Sequence, residues 1–253
     1  MTTWVLLRGL MREQRHWGEF PALFQAAMKG QKIVTLDFPG NGTLHAQASA
    51  SRVEDMAEHC RTHLTQSGHT PPYRVLALSL GAMVAVAWAQ AHPEELEKVV
   101  LINTSLAPHN PFHHRLRPQN YPALLRFLML GTIAKREALI LRITSKQAGT
   151  ERATDILEKW VSYARQYPIS RSNILRQLMA AMRYRAPAAA PDVPTLLLAG
   201  AQDSLVNPQC SLALAKKWAC AIRVHPDAGH DLPLDDGAWV VKQVKGWLDF
   251  NID

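Results

Sequence analysis

Three residues of the sequence are of types that together support nucleophilic catalysis. Ser79 is a lone hydroxyl within an apolar run, with the small residues Ala77 and Gly81 two positions to either side. A serine hydroxyl is a weak nucleophile near neutral pH until a histidine accepts its proton, and that histidine needs a carboxylate to hold its tautomer. Asp203 and His230 are candidates for these two groups, and they follow Ser79 along the chain in that order.

Six short apolar runs predict strands that are buried on both faces, as in a parallel sheet. The runs are Trp4–Leu7, Lys32–Leu36, Arg74–Leu78, Lys98–Ile102, Thr195–Ala199 and Ala221–His225. Helical patterns lie between most of them, and this alternation predicts an α/β fold with right-handed crossovers and a doubly wound, essentially all-parallel sheet. Ser79, Asp203 and His230 then each follow the carboxyl end of a strand, where such sheets place their sites.

Residues 51–66 show the clearest helical pattern between two of these strands. Ser51 and Glu54 have the spacing of a capping box, which predicts that Ser51 caps the first turn. The apolar residues of this segment form one stripe, which predicts that one face of the helix is buried. The stripe consists of Val53, Met56, Ala57, Cys60 and Leu64.

Residues 107–191, between the fourth and fifth predicted strands, hold several helical patterns and no strand pattern. A segment of this length needs structure of its own in a compact domain. We therefore predict a helical cap over residues 107–191, inserted in a core formed by residues 1–106 and 192–253. Ser170 to Tyr184 is typical of its helices, with a predicted apolar stripe of Leu175, Leu178, Met179 and Met182.

The run from Ala77 to Gly81 resembles the nucleophile elbow G-x-S-x-G of the α/β-hydrolase superfamily, with alanine in place of the first glycine. Segments 200–208 and 228–231 look like the acid and histidine loops of that family, and segment 37–42 is similar to its D-x-P-G-x-G loop. The resemblance covers nearly the whole chain. It implies an α/β-hydrolase fold that lacks the amino-terminal hairpin, because the first predicted strand corresponds to the family's third.

The resemblance also implies a role for five residues. Ser79 is the nucleophile, His230 is the general base and then the acid, and Asp203 orients His230. The backbone N–H groups of Leu10 and Leu80 form the oxyanion hole. Neither a metal ion nor an organic cofactor is implied.

Two other carboxylates, Asp227 and Asp231, compete with Asp203 because they lie close to His230 in sequence. Asp203 is favoured because its loop follows the fifth predicted strand, whereas the fourth ends at Asn103 without the carboxylate that some family members carry there. The competing residues are otherwise solvated loop carboxylates or supports of the loop.

One motif departs from the family pattern. Arg8-Gly9 stands where the family usually has His-Gly, and that histidine normally braces the oxyanion loop by hydrogen bonding. The sequence leaves open how Arg8 replaces it.

Charge is concentrated in the predicted cap. Residues 107–191 hold fourteen basic and four acidic residues, a net charge of +10 in a chain whose total is +7. One interpretation is a solvated helical surface. The other is a positive field that steers an anionic substrate, such as an acyl group on coenzyme A or on an acidic acyl carrier, toward the site. Similarity to the carboxylesterase branch that includes the carrier-protein methyl ester esterase of biotin synthesis suggests the second.

Several apolar residues of the cap exceed what one helix face buries, and we expect some of them to line an acyl pocket. They are Leu124, Leu125, Phe127, Leu128, Met129, Leu130 and Ile133.

Composition and the absence of several motifs limit the class of protein and the partners that we expect. Hydrophobic residues make up 47% of the chain and charged residues 19%, which predicts a folded globular domain. No secretion signal, membrane span or nucleic-acid recognition motif is apparent, and the three cysteines have no disulfide or zinc spacing, so we expect a cytoplasmic protein without these partners. His113 and His114 have no further metal ligand at useful spacing.

The sequence therefore predicts a serine hydrolase that cleaves a carboxylic ester or thioester through an acyl-enzyme. Two alternatives remain open. One is a lyase in which the same triad abstracts a proton, and the other is a binding protein with a vestigial triad.

Overall fold

The computed structural model describes residues 2–129 and 131–249, the side chains of residues 127–129 excepted. In this part of the chain six strands form one sheet, and every adjacent pair is parallel. The strands are β1 (Thr3–Leu7), β2 (Lys32–Leu36), β3 (Tyr73–Leu78), β4 (Leu96–Ile102), β5 (Thr195–Gly200) and β6 (Ala221–His225). Their order is β2-β1-β3-β4-β5-β6, which confirms the predicted doubly wound parallel sheet.

The winding of the sheet reverses at β1, which pairs with both β2 and β3. The last residue of β1, Leu7, lies opposite Leu36 of β2 and Ala77 of β3, so the three strands end at the same level. In open α/β sheets the crevice outside this reversal point is the usual place for a ligand. The segments that follow β1 and β3 contain Leu10 and Ser79.

Helices cover both faces of the sheet. The structure describes α1 (Phe20–Ala27), α2 (Val53–Gln66), α3 (Leu80–Ala91), α4 (Phe112–Arg115), α5 (Tyr121–Met129), α6 (Ile133–Thr144), α7 (Ala153–Gln166), α8 (Arg171–Arg183), α9 (Gln209–Trp218) and α10 (Leu232–Asp249). Alternate strand residues point to opposite faces. Val5 and Leu7 of β1 therefore join the core with α2, α3 and α9, while Trp4 and Leu6 join the core with α1 and α10.

Helices α4 to α8 all lie between β4 and β5. They have a small core of their own, which consists of Ile140, Leu141, Ile156, Trp160 and Ile174. The chain leaves and re-enters the α/β core at neighbouring points, since Ala107 forms a parallel bridge with Arg185 and accepts a hydrogen bond from the Ala186 N–H at 2.6 Å.

The predicted capping box of α2 is wrong. The helix begins at Val53, its N-cap is Arg52 in an extended conformation, and no side chain accepts a hydrogen bond there. Glu54 and Asp55 instead place two negative charges in the first turn, where the helix dipole favours them. The apolar stripe is as predicted, because all five of its residues are buried.

The predicted apolar stripe of α8 is also wrong as the buried face of that helix. Leu175 is 52% exposed, whereas the polar residues Asn173 and Gln177 are buried. The physical reason is hydrogen bonding to the segment after β2. Asn173 Oδ1 accepts from the Ser49 N–H at 2.9 Å, and Gln177 Nε2 donates to Asn41 Oδ1 at 2.8 Å. These hydrogen bonds, together with the burial of Ile174 and Ala180, are consistent with the rotation of this helix.

No helix within residues 2–129 and 131–249 has the length and apolar character needed to cross a membrane.

Candidate active site

Ser79 lies in the sharp turn between β3 and α3. Its backbone has φ 57° and ψ −113°, a conformation that is strained for any residue other than glycine. The Ser79 N–H donates to the carbonyl of Ile102 at 3.0 Å, which ties the turn to β4. Gly81 is needed because a Cβ there would lie 2.5 Å from the carbonyl oxygen of Leu7. The turn therefore presents the Ser79 hydroxyl at the carboxyl edge of the sheet.

His230 and Asp203 come together from the loops after β6 and β5. His230 Nδ1 lies 2.6 Å from Asp203 Oδ2, and both side chains are buried. The other carboxylate oxygen of Asp203 accepts hydrogen bonds from the N–H groups of Leu205 at 2.8 Å and Val206 at 2.9 Å. These donors hold the carboxylate of Asp203 in one orientation. Its carboxylate is thus placed to fix the tautomer of His230 with Nε2 free to accept a proton.

Burial tends to lower the pKa of His230, but its charged neighbours outweigh that effect. The charge of Asp203 and its hydrogen bond, together with the charge of Asp231, raise the pKa, while Arg8 lowers it. The result is a pKa above the ordinary value of 6.5. A base with a raised pKa accepts a proton more readily, which suits general base catalysis.

Asp227 and Asp231, the competing carboxylates, have other surroundings. Asp227 is exposed to solvent. Asp231 is buried and accepts two hydrogen bonds from Arg8, at 3.0 Å from Nη1 and 2.6 Å from Nη2. Of the three aspartates, Asp203 is the one whose carboxylate contacts the imidazole of His230.

Arg8 stands where the family usually has the histidine of the oxyanion loop, and it is held by an ion pair and an aromatic ring. Its guanidinium forms the bidentate pair with Asp231, with both side chains less than 5% exposed, and it lies 4.8 Å from the ring centre of Trp17. Because Asp231 follows His230 directly, this pair joins the loop after β1 to the loop after β6. The sequence showed that Arg8 was unusual, but not that Asp231 was its partner.

Leu10 and Leu80, the predicted oxyanion residues, both line the same cavity as Ser79. Leu80 is the first residue of α3, so its N–H has no acceptor within the helix. The neighbouring Met11 has φ 61°, and its N–H donates to Gln177 Oε1 of α8 at 2.9 Å. An inserted helix therefore helps to shape the turn that contains the Leu10 N–H.

Asn103 is a residue whose importance the sequence did not reveal. It has a positive φ of 46° and is buried at the end of β4. Its amide nitrogen donates to the carbonyls of Gly229 at 3.0 Å and His230 at 2.7 Å, while its Oδ1 accepts from the Gly200 N–H at 2.8 Å. Asn103 thus holds the acid loop and the histidine loop against one strand end. The signal in the sequence was a polar residue directly after a buried strand.

A cavity of about 210 Å³ contains Ser79 and His230 in its wall. Its lining is mostly apolar and comes from both the strand-end loops and the inserted helices, including Leu124, Leu178 and Met182. Leu125, in contrast, is 61% exposed. Of the other predicted pocket residues, the side chains of Phe127, Leu128, Met129 and Leu130 lie outside those that the structure describes.

One cluster of possible metal ligands and three cysteines lie among the described residues outside the cavity. His92, Glu94 and Glu95 are the cluster with ligand atoms close enough to share an ion, but Arg61 and Trp88 already donate to Glu95. The cysteines are buried or partly buried, and burial raises the pKa of Cys60 and of Cys210 to about 12. Thiols with such pKa values are inert as nucleophiles near neutral pH.

Comparison with known proteins identifies the family. A model of the α/β-hydrolase fold matches residues 6–237. The chain belongs to this family. Among curated proteins, a stretch of 88 residues is 27% identical to the uncharacterised protein YbdG of Bacillus subtilis, which is 35% of this chain and 27% of that protein. The match thus spans about a quarter of the relative's length.

Solved structures of hydrolases share the fold of this α/β-hydrolase over nearly its full length. A thermophilic esterase from Thermogutta terrifontis aligns with a TM-score of 0.77 and 20% identity, over 98% of this chain and 90% of that one. The enol-lactonase from Burkholderia xenovorans aligns with a TM-score of 0.80 and 20% identity, over 98% of this chain and 91% of that one. Identities this low show a common fold and leave the substrate open.

Proposed function

We propose that this α/β-hydrolase is a serine hydrolase that cleaves a carboxylic ester or thioester. The observation that carries the proposal is the pair formed by His230 and Asp203 at 2.6 Å, with His230 lining the same cavity as the strained Ser79 turn. A nucleophile, a base and a carboxylate that orients the base are the groups this chemistry needs.

In the proposed mechanism Ser79 Oγ attacks the carbonyl carbon while His230 Nε2 accepts the hydroxyl proton. In this mechanism the N–H groups of Leu10 and Leu80 donate to the tetrahedral oxyanion as its charge develops. Its collapse breaks the bond to the leaving group, which takes the proton from His230, and leaves an acyl group on Ser79. Water activated by His230 then releases the acid and restores Ser79.

The buried surroundings of Asp203 suit its proposed role. Its carboxylate accepts two backbone N–H groups and contacts the imidazole, so it is held in place to stabilise His230 when the imidazole becomes charged.

We further propose that residues 107–191 act as a cap that selects the substrate. Two observations support this role. Residues of α4, α5, α6 and α8 contribute to the cavity wall, and the close approach of Ala107 and Arg185 lets the segment form a unit on the α/β core. Most basic side chains of the segment are exposed, which supports an anionic substrate or an acidic acyl carrier as its partner. The exposed side chains are Arg126, Lys135, Arg142, Lys146, Arg152, Lys159, Arg165, Arg171, Arg176, Arg183 and Arg185.

The first experiment compares Ser79→Ala with the wild type on p-nitrophenyl esters of increasing acyl length. We expect the substitution to lower kcat by roughly 10⁴-fold or more, as for other catalytic serines, without changing the circular dichroism spectrum. Cys210→Ala is the matched control, since this buried residue also lies near the site and should keep its activity. A Ser79→Ala protein with most of the wild-type rate would remove the mechanism. A folded wild type without activity on any ester would favour the lyase or the binding protein.

A further inference from the structure

Three arginines line the cavity that contains Ser79, and they differ in their partners. Arg8 pairs with Asp231, and Arg12 Nη1 lies 2.6 Å from Glu137 Oε2. Arg115 makes no ion pair within the described residues. Of these three arginines, Arg115 is therefore the one that no carboxylate of the described residues compensates.

Arg115 is held in place by a neutral contact. It is the last residue of α4, and its Nη2 donates to the carbonyl of Ala181 in α8 at 2.7 Å. Its Nε is buried and has no hydrogen-bond partner among the described residues, as is also true of Arg8 Nε and Arg12 Nη2, so the missing carboxylate is what distinguishes Arg115. Burial, together with the charge of Arg185, lowers the pKa of Arg115 from its usual value. A guanidinium in this setting retains the capacity to bind an anion.

The surroundings of Arg115 limit the kind of anion. Phe112 from α4, Leu116 directly after it and Met182 from α8 line the cavity together with Arg115, so the wall around the charge is apolar. A single cation in such a wall balances a single negative charge, whereas a dianionic phosphate would leave one charge uncompensated. The planar guanidinium also matches a carboxylate in geometry. A carboxylate is therefore the ligand that fits best.

We infer that the substrate is an ester or thioester whose acyl part carries a carboxylate, and that Arg115 binds this carboxylate while Ser79 attacks the ester. This inference rests on the proposed hydrolase function. We assign the carboxylate to the acyl part because the leaving group departs, whereas the acyl group stays in the cavity as the acyl-enzyme. Arg115 is then a residue that determines specificity, and Arg8 and Arg12 serve the protein itself.

The test uses matched pairs of substrates. One member is the p-nitrophenyl monoester of a dicarboxylic acid of four to eight carbons, and the other is the same ester with its free carboxyl capped as a methyl ester. We expect the wild type to favour the free carboxylate by roughly 10- to 100-fold in kcat/KM, the range for a charge-assisted hydrogen bond in a sheltered site. In Arg115→Met this ratio should fall to about one.

A control variant separates a local contact from the field of the cap. Arg171→Gln removes the same charge from an exposed position on α8 and should leave the wild-type ratio unchanged. If Arg171→Gln lowered the ratio as much as Arg115→Met, the cap as a whole would attract the anion and the role of Arg115 would be wrong. A wild-type ratio near one, with turnover that depends on Ser79, would overturn the carboxylate inference and leave the hydrolase intact.

A binding measurement tests Arg115 without any reaction. Calorimetry of Ser79→Ala with the monomethyl ester of an eight-carbon dicarboxylic acid should show binding that is weakened roughly tenfold or more when Arg115→Met is added. This result would support the anion site even if Ser79 proved not to be a nucleophile. Equal affinity in the two proteins, or no binding to either, would overturn it.

Discussion

The loops at the strand ends and the inner face of the inserted helices share one cavity but differ in how they hold charge. In the loops, Asp203 is bonded to His230, and Arg8 is paired with Asp231. On the inserted side, the wall is mostly apolar, and Arg115 has no counter-charge among the described residues. The charged groups of the loops are therefore in ion pairs before a ligand arrives, whereas Arg115 on the inserted side is not.

This difference suggests a division of labour. Paired charges and satisfied hydrogen bonds fix the geometry of a site in advance, which is what catalysis of one reaction type requires. An unpaired charge in an apolar wall instead binds a ligand of the opposite charge. In our proposal the loops carry out the reaction, and the inserted helices choose the substrate.

The largest expected effect is the loss of activity in Asp203→Asn, which tests whether the loops carry out the reaction on every substrate. The amide keeps the shape of the side chain but favours the wrong tautomer of His230, and in the comparable substitution of a serine protease the rate falls roughly 10⁴-fold. We expect a loss of that size in kcat for all esters, whether or not they carry a carboxylate. Asp227→Asn, at an exposed position in the loop after β6, is the control. A loss limited to one substrate class would place Asp203 in substrate selection and break the comparison.

The next effect concerns the pairing of Arg8 and Asp231. Arg8→Met leaves a buried carboxylate without its partner, so the free energy of unfolding should fall by roughly 3–5 kcal/mol. The double variant Arg8→Met with Asp231→Leu removes both charges and should recover most of that loss. Urea denaturation of the single and double variants measures both values. A double variant as unstable as Arg8→Met would mean that stacking of Arg8 on Trp17, rather than pairing, stabilises the loop.

The smallest effect is on pH dependence. His230 must be neutral to accept a proton, and its pKa is raised, so kcat/KM should fall as the pH is lowered through a midpoint above 6.5.

The free energy of unfolding should depend on pH in the opposite direction, because the raised pKa means that the folded protein favours the protonated form of His230. The contribution of His230 to stability is present below its unfolded pKa and is lost as the pH rises through its folded pKa.

Asp231→Asn tests whether the charges of the pair formed by Arg8 and Asp231 affect the pKa of His230. It removes a charge that raises the pKa of His230 and leaves Arg8, which lowers it, so the midpoint of kcat/KM should move to lower pH. Profiles of kcat/KM between pH 5 and 9, recorded with one neutral ester, measure the shift. An unchanged midpoint would show that the loop pair supports the site only mechanically.

Much of the core was predictable because it follows from local patterns. Continuous apolar runs predicted all six strands of the described sheet, and the buried stripe of α2 follows from its helical period. The inserted helices were harder. For α8 the sequence pattern favoured the leucine and methionine face, but long-range hydrogen bonds from Asn173 and Gln177 decided which side is buried. Such contacts leave no periodic signal in the sequence.

The sequence by itself determined the sheet, the family, and the candidate residues Ser79, Asp203 and His230, because strand periodicity and the motifs at strand ends are local. The tertiary structure decided which of three aspartates contacts His230, since Asp203 reaches the imidazole, whereas Asp231 is paired with Arg8 and Asp227 is exposed. It also decided that Arg8 is paired with a carboxylate, whereas Arg115 has no carboxylate partner in the part of the chain that the structure describes. Pairing depends on which side chains meet across elements distant in sequence, and that is a property of the packed chain.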